Sequence, residues 1–265
     1  RYVERQLDNI IKSGRYDEVL ISGGDPLDYK NIIAIIKKLK KHGVKKITIA
    51  SHCRSLKDKN FLEELIGIGV ELAFSIPIHG HNEQIHDKVT RVKGSFNDIL
   101  VSIENLKSHG IKFFVLSHVT QENKDIMDKI AEFGVKTGAE SVSINMTYMT
   151  KNDLSHYIAT KDLPKALNQV YKQYLTCSTH VSFIEIPYCV FTEIETDVLS
   201  NSDIIFNNEQ INNFIGDKTG NDTPYSKLKE KIEMCNSCAV KDKCDGFFKK
   251  DIEKFGIGRL KPLKN

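Results

Sequence analysis

Cys235, Cys238 and Cys244 fall within ten residues of one another, and Gly246 follows closely. Thiolates at the spacing Cys-x2-Cys-x5-Cys can share one metal centre, and the glycine leaves the backbone free to fold around a bound group. Cys189, just after the Pro187 turn, is the natural fourth ligand. Four thiolates suit a structural zinc or a 4Fe-4S cluster, and the spacing alone does not choose between them. Disulfides are the other reading, but the strand–helix alternation upstream looks intracellular, where disulfides are rare. Cys53 and Cys177 stand alone and read as small buried thiols.

A second constellation lies near the start. Ile21-Ser22-Gly23-Gly24-Asp25-Pro26 directly follows an apolar strand. Two glycines let a ligand approach the backbone, and the Asp25 carboxylate can accept hydrogen bonds from an ammonium group. A plain strand-to-helix turn is the competing reading. Position favours chemistry, because α/β sheets bind ligands at the carboxyl ends of their strands. His79, His81 and His86 cluster after the third visible strand; a zinc site is one reading, and solvated or capping histidines are the commoner one. His86-Asp87 is placed to order the loop before the next helix. Ser75, inside the preceding strand, is placed to point into a barrel, and Asn123 is a good helix N-cap.

The elements that must position these groups follow a regular beat. Val3, Leu7, Ile10 and Ile11 recur at helical spacing over residues 2–13 and end at Gly14. Strands are predicted at 18–23, 46–51, 71–77, 112–119 and 141–148, with helices at 30–42, 58–67, 94–109 and 123–137 between them. Such alternation argues for a parallel α/β sheet or barrel. Pro164 suits the first turn of a helix running to about 176. Residues 181–187 read as a strand, and 196–222 are rich in turn-forming Asn, Asp, Ser and Thr. A domain change is placed near residue 178, giving units 1–178 and 179–265.

Composition excludes little. The 265 residues suffice for a full core, and 40% hydrophobic with 28% charged residues is ordinary for a soluble protein. The net charge of +3 comes from lysines scattered over helix faces, such as Lys37, Lys38, Lys40 and Lys41, which argues against a nucleic-acid partner. No apolar run approaches the ~20 residues a membrane span needs.

Taken together, these motifs resemble the radical S-adenosylmethionine (SAM) enzymes over nearly the whole chain. Gly23-Gly24-Asp25-Pro26 is similar to that family's GGE-type motif. Phe74-Ser75-Ile76, His86-Asp87, Arg91 and Gly94-Ser95-Phe96 resemble its pattern after the fourth barrel strand, and Val119-Thr120 with Asn123 fits the next strand end. Cys235 to Gly246, Phe255-Gly256 and Leu260-Lys261-Pro262 resemble an auxiliary-cluster extension of the twitch or SPASM type.

The resemblance implies a partial (β/α)6 barrel followed by a small auxiliary-cluster domain. It implies that Gly23, Gly24 and Asp25 hold the methionyl amino group of SAM, Asp replacing the commoner Glu, with Ser75 and Asn123 near its ribose and carboxylate. Cys189, Cys235, Cys238 and Cys244 would then ligate an auxiliary 4Fe-4S cluster. The family's SAM-cleaving 4Fe-4S cluster is bound by Cys-x3-Cys-x2-Cys after the first strand, and this sequence contains no such triplet. The chain also opens on a helix, at Arg1, so the expectation is a first strand and cluster loop lost upstream and a fragment that does not cleave SAM reductively. The implied activity is hydrogen abstraction by a 5′-deoxyadenosyl radical, from a peptide as in maturases or from a small metabolite as in molybdenum-cofactor cyclases. An electron donor and a cytoplasmic location complete the expectation. A zinc-stabilised, non-catalytic α/β binding protein is the reading from a different class.

Overall fold

A computed structural model describes residues 2–146, 155–174, 180–201, 205–206 and 228–264. Helix α1 (Tyr2–Ser13) leads into strand β1 (Glu18–Ile21), and strands and helices then alternate. They run α2 (Ile32–Lys41), β2 (Lys46–Ala50), α3 (Lys59–Gly67), β3 (Glu71–Pro77), α4 (Glu83–Thr90), α5 (Ser95–Ser108), β4 (Lys112–Val119), α6 (Met127–Thr137), β5 (Ser141–Met146), α7 (Pro164–Tyr174) and β6 (His180–Ile184). These six strands pair in chain order, all parallel, and a two-residue β7 (Ile205–Phe206) joins β6. Among the described residues, strand β1 pairs with β2 alone and stands at the sheet edge. Parallel neighbours need long crossovers, and the helices supply them.

The two faces of the sheet differ. Ile47, Ile49, Phe74, Ile76, Val115, Val142, Ile144 and Phe183 are fully buried on the face that packs the helices, against residues such as Ile36, Leu65, Leu106, Ile130 and Leu167. Burying each such side chain contributes roughly 1.5–3 kcal/mol. The opposite face alternates with it and is only half-buried at Thr48, Ala50, Ser75, Phe114 and Ser143. Parallel sheets are ordinarily covered on both faces. Here the second face, which carries several hydroxyls and small side chains, is left partly open to solvent and forms the trough face of the sheet.

Two local readings need correction. Residues 79–94 are not simply a loop, because α4 forms there, its first turn capped by Asn82 Oδ1 accepting from Ile85 N at 3.1 Å. The turn-rich segment contains a short helix, α8 (Thr196–Asn201), anchored by fully buried Leu199. Residues 202–204 and 207–227 lie outside the described residues, as does Cys177. Strand β6, beyond the change of domain expected near residue 178, hydrogen-bonds to β5 within the same sheet.

The C-terminal part is small. Strands β8 (Lys229–Glu230) and β9 (Phe247–Phe248) pair antiparallel and tie off the segment that bears three cysteines, and α9 (Lys249–Phe255) follows. Asp251, fully buried on α9, accepts from Thr160 N at 3.2 Å. Lys229 forms a buried ion pair with Glu185, just after β6, and so joins this hairpin to the sheet.

Candidate functional site

Strand β1 ends in the glycine pair, with φ of +99° at Gly23 and +62° at Gly24. Those values favour glycine, and a Cβ at either position would meet nothing within 4 Å, so open space lies beside this backbone. Asp25 follows and starts a 3-10 turn at Pro26–Asp28. One carboxylate oxygen accepts from Leu27 N at 3.1 Å and Ser51 Oγ at 2.5 Å. The other accepts from His52 N at 3.2 Å and His52 Nδ1 at 2.9 Å. Burial by itself would raise the Asp25 carboxyl, but the hydrogen bonds from His52, Ser51 and Leu27 outweigh it and hold the group below the usual carboxylate range. The Asp25 bond in turn raises the His52 imidazole above its ordinary value, against an opposing effect of burial.

Next to this pair, Cys53 is fully buried and left-handed at φ +56°. Burial pushes its thiol far up, leaving an inert side chain, as its solitary place in the sequence suggests. Arg91, at the end of α4, is also left-handed; its guanidinium contacts His156, whose Nδ1 lies 2.5 Å from Glu122.

Ser75 sits half-buried on the trough face, opposite Ala50 on β2 and Phe114 on β4. Asn123 is fully buried, and its amide is occupied by backbone: Oδ1 accepts from Thr120 N at 2.7 Å, and Nδ2 donates to His79 O at 3.1 Å and His118 O at 3.0 Å. It clamps the ends of β3 and β4 rather than capping α6, which it precedes.

Of these histidines, His86 and the ring of His79 are withdrawn from solvent, whereas His81 is partly exposed. His86 on α4 is fully buried and its Nδ1 accepts from His79 N at 3.1 Å. The His79 ring lies 6.0 Å from those of both His86 and His118. Burial, reinforced by His118 and His86, pushes His79 down to about 3, and burial takes His86 to about 4, so both stay neutral near pH 7. Burial lowers His118 as well. Asp25, His52, His79 and His118 thus stand at the carboxyl ends of the four successive strands β1 to β4. A pocket of about 250 Å³ lined by His52, Arg54, His79, His86, Thr90 and Ser95 opens beside them. His52 and His118 escaped the sequence reading, since each is a lone histidine with no spacing pattern. The alternation of inward and outward residues along β2 and β4 was the available clue.

The other four cysteines among the described residues share one wall. Cys189, in the turn Tyr188–Val190 after β6, lines a small pocket with Cys235, Cys238 and Cys244, together with Gly246 and Phe247. Cys189, Phe247 and Leu260 form a separate apolar cluster around it. Burial raises the Cys189, Cys235 and Cys244 thiols, and for Cys189 the other three sulfurs add to the effect. Four mutually repelling thiolates are stable there only with a positive group between them, and four sulfurs around one pocket are the donor type of a cluster. Among the described residues, no three His, Cys, Asp or Glu side chains stand close enough to share a single metal ion.

Comparison with known proteins bears on the family and the fold. Residues 1–134 match the family model of the Radical SAM superfamily. An AdoMet-dependent heme synthase from Methanosarcina barkeri is 24% identical over 155 residues, 58% of this chain and 44% of the relative, so the chain spans under half of that protein. Among solved structures, native anSMEcpe with bound AdoMet and Kp18Cys peptide superposes with a TM-score of 0.61 at 12% identity, covering 97% of this chain and 83% of that one. Streptococcus suis SuiB bound to S-adenosylmethionine gives 0.59 at 12% identity, covering 98% and 69%. With the family model spanning half the chain and the fold shared almost throughout, the chain belongs to the Radical SAM superfamily.

Proposed function

We propose that the protein is a radical SAM enzyme that modifies a peptide, with SAM held at the Gly23-Gly24-Asp25 turn and an auxiliary 4Fe-4S cluster on Cys189, Cys235, Cys238 and Cys244. Membership in the superfamily implies SAM and 4Fe-4S clusters as cofactors. The observation that carries the reading is the polar row of Asp25, His52, His79 and His118 at the carboxyl ends of β1 to β4, beside the pocket lined by His52 and His79. When bound, SAM and its cluster supply radical hydrogen abstraction, and the protein's part is to bind, orient and exclude water. In this scheme Asp25 accepts from the α-ammonium and the glycines let the ligand approach the backbone. Ser75 faces the ligand from the trough, and Asn123 keeps the ends of β3 and β4 in place behind it. The neutral imidazoles of His79 and His118 offer uncharged hydrogen-bonding groups to an amide or hydroxyl.

A peptide substrate is favoured by the fold shared with anSMEcpe, whose structure contains a peptide. A small metabolite is the second reading, supported by the heme synthase relative. The domain division proposed from sequence assigns the cluster to residues 179–265. The ligands of the SAM-cleaving cluster are not among these residues, so this chain alone is proposed to bind SAM without cleaving it reductively. Reduced thiolates and an external electron donor suit the cytoplasm. Calorimetry with SAM on Asp25→Ala tests the reading. Loss of a charge-assisted hydrogen bond predicts roughly 10- to 100-fold weaker binding. Unchanged affinity would reduce the motif to a turn.

A further inference from the structure

An ionised carboxylate offers about four lone-pair positions, and all four on Asp25 are occupied by groups of this chain. Leu27 N and His52 N are backbone donors fixed by the 3-10 turn and by the end of β2. Ser51 Oγ is held in place by accepting from Cys53 N at 2.9 Å. The fourth donor differs from the rest. His52 Nδ1 belongs to a side chain that is 49% exposed and lines the neighbouring pocket of about 250 Å³, which has room for a rotated ring. An added ammonium can reach Asp25 only where one of these donors gives way, and the His52 ring is the one free to move.

We propose that His52 determines the specificity of this site: its ring holds the exchangeable position on Asp25, and an α-ammonium ligand binds by displacing it into the adjoining pocket. The inference rests on the reading of Asp25 as the ammonium acceptor. Exchange against a charge-assisted bond favours a cation over a neutral donor, so the site selects amino-acid-like ligands over deaminated ones. Competition also sets a pH dependence. A protonated His52 holds Asp25 more tightly than a neutral one, so ligand affinity rises as pH passes upward through the His52 titration. The charged neighbours are Asp25 and Asp28, which favour the imidazolium, and Arg54, which opposes it. His79 and His86, across the pocket, are neutral throughout this range and add no titration of their own.

Two measurements on the chain test the proposal. The first follows the His52 imidazole resonance against pH, assigned by comparison with His52→Ala, with and without SAM. Displacement predicts a midpoint that falls toward the unperturbed ~6.5 when SAM binds. The second is calorimetry between pH 6 and 8 on the wild type, His52→Ala and Asp25→Asn. His52→Ala is expected to bind SAM on the order of tenfold more tightly near pH 6.5, to lose the pH dependence, and to bind a deamino analogue of SAM no better than the wild type does. Equal or weaker SAM binding by His52→Ala, or an unmoved His52 midpoint, overturns the proposal. If Asp25→Asn leaves SAM affinity unchanged, the reading of Asp25 as ammonium acceptor fails too. If Asp25→Asn weakens SAM while His52→Ala does not strengthen it, only the displacement is wrong.

Discussion

Asp87 gathers three donors from the start of α5: Gly94 N at 2.5 Å, Ser95 Oγ at 2.7 Å and Phe96 N at 2.9 Å. Gly94, the capping residue, has no side chain for this task, so Asp87 reaches across from α4 and satisfies the free N–H groups. Asp87→Ala should cost about 2 kcal/mol, read as a lower Tm with little change in folded-state circular dichroism. Burial raises the Asp87 carboxyl, and the bonds from Ser95, Phe96 and Gly94 more than reverse that, so its folded value lies below the unfolded one. Its contribution is therefore complete above about pH 4 and is lost as pH falls through the folded value. The stability gap between wild type and variant should close in acid; a gap independent of pH would refute the assignment. The role of His86-Asp87 in ordering this loop was legible from its place before Gly94-Ser95-Phe96. The buried, neutral state of His79 and His86 was not, because exposure depends on α4 folding over the strand ends.

Among the elements, the β8–β9 ladder is the most demanding of its sequence. Gly246 has φ +85°, and a Cβ there would stand 2.1 Å from Glu230 O on the paired strand. Gly246→Ala combines left-handed strain with a backbone clash and should destabilise this hairpin by about 3 kcal/mol. Hydrogen exchange checks it: amides of residues 229–248 should lose protection while β2 to β5 keep theirs, and unaltered protection would show that the ladder tolerates a side chain. The strands and longer helices were readable because their apolar periods are long and end at glycines such as Gly43, Gly110 and Gly138. Helix α4 was not, since its residues are mostly polar and its apolar contacts, chiefly His86, do not form a stripe. The two-residue strands β7, β8 and β9 carry no period at all.

For the whole molecule, the parallel sheet followed from the strand–helix beat, but its extent did not. Strand β6 carries nothing in its own residues that announces its pairing in register with β5. Cys189 could be named from its place after the Pro187 turn, but spacing alone does not show that a residue some fifty positions away lines the same pocket as Cys235, Cys238 and Cys244. This one fold is proposed to bring a cluster site and a SAM site together. Anaerobic reconstitution of the chain with iron and sulfide, followed by metal analysis and Mössbauer spectroscopy, tests it most directly. About four irons and four sulfides per chain are expected in a 4Fe-4S spectrum, largely lost in Cys238→Ala. A chain that retains stoichiometric zinc and takes up no iron, or a Cys238→Ala variant with its iron intact, would contradict it.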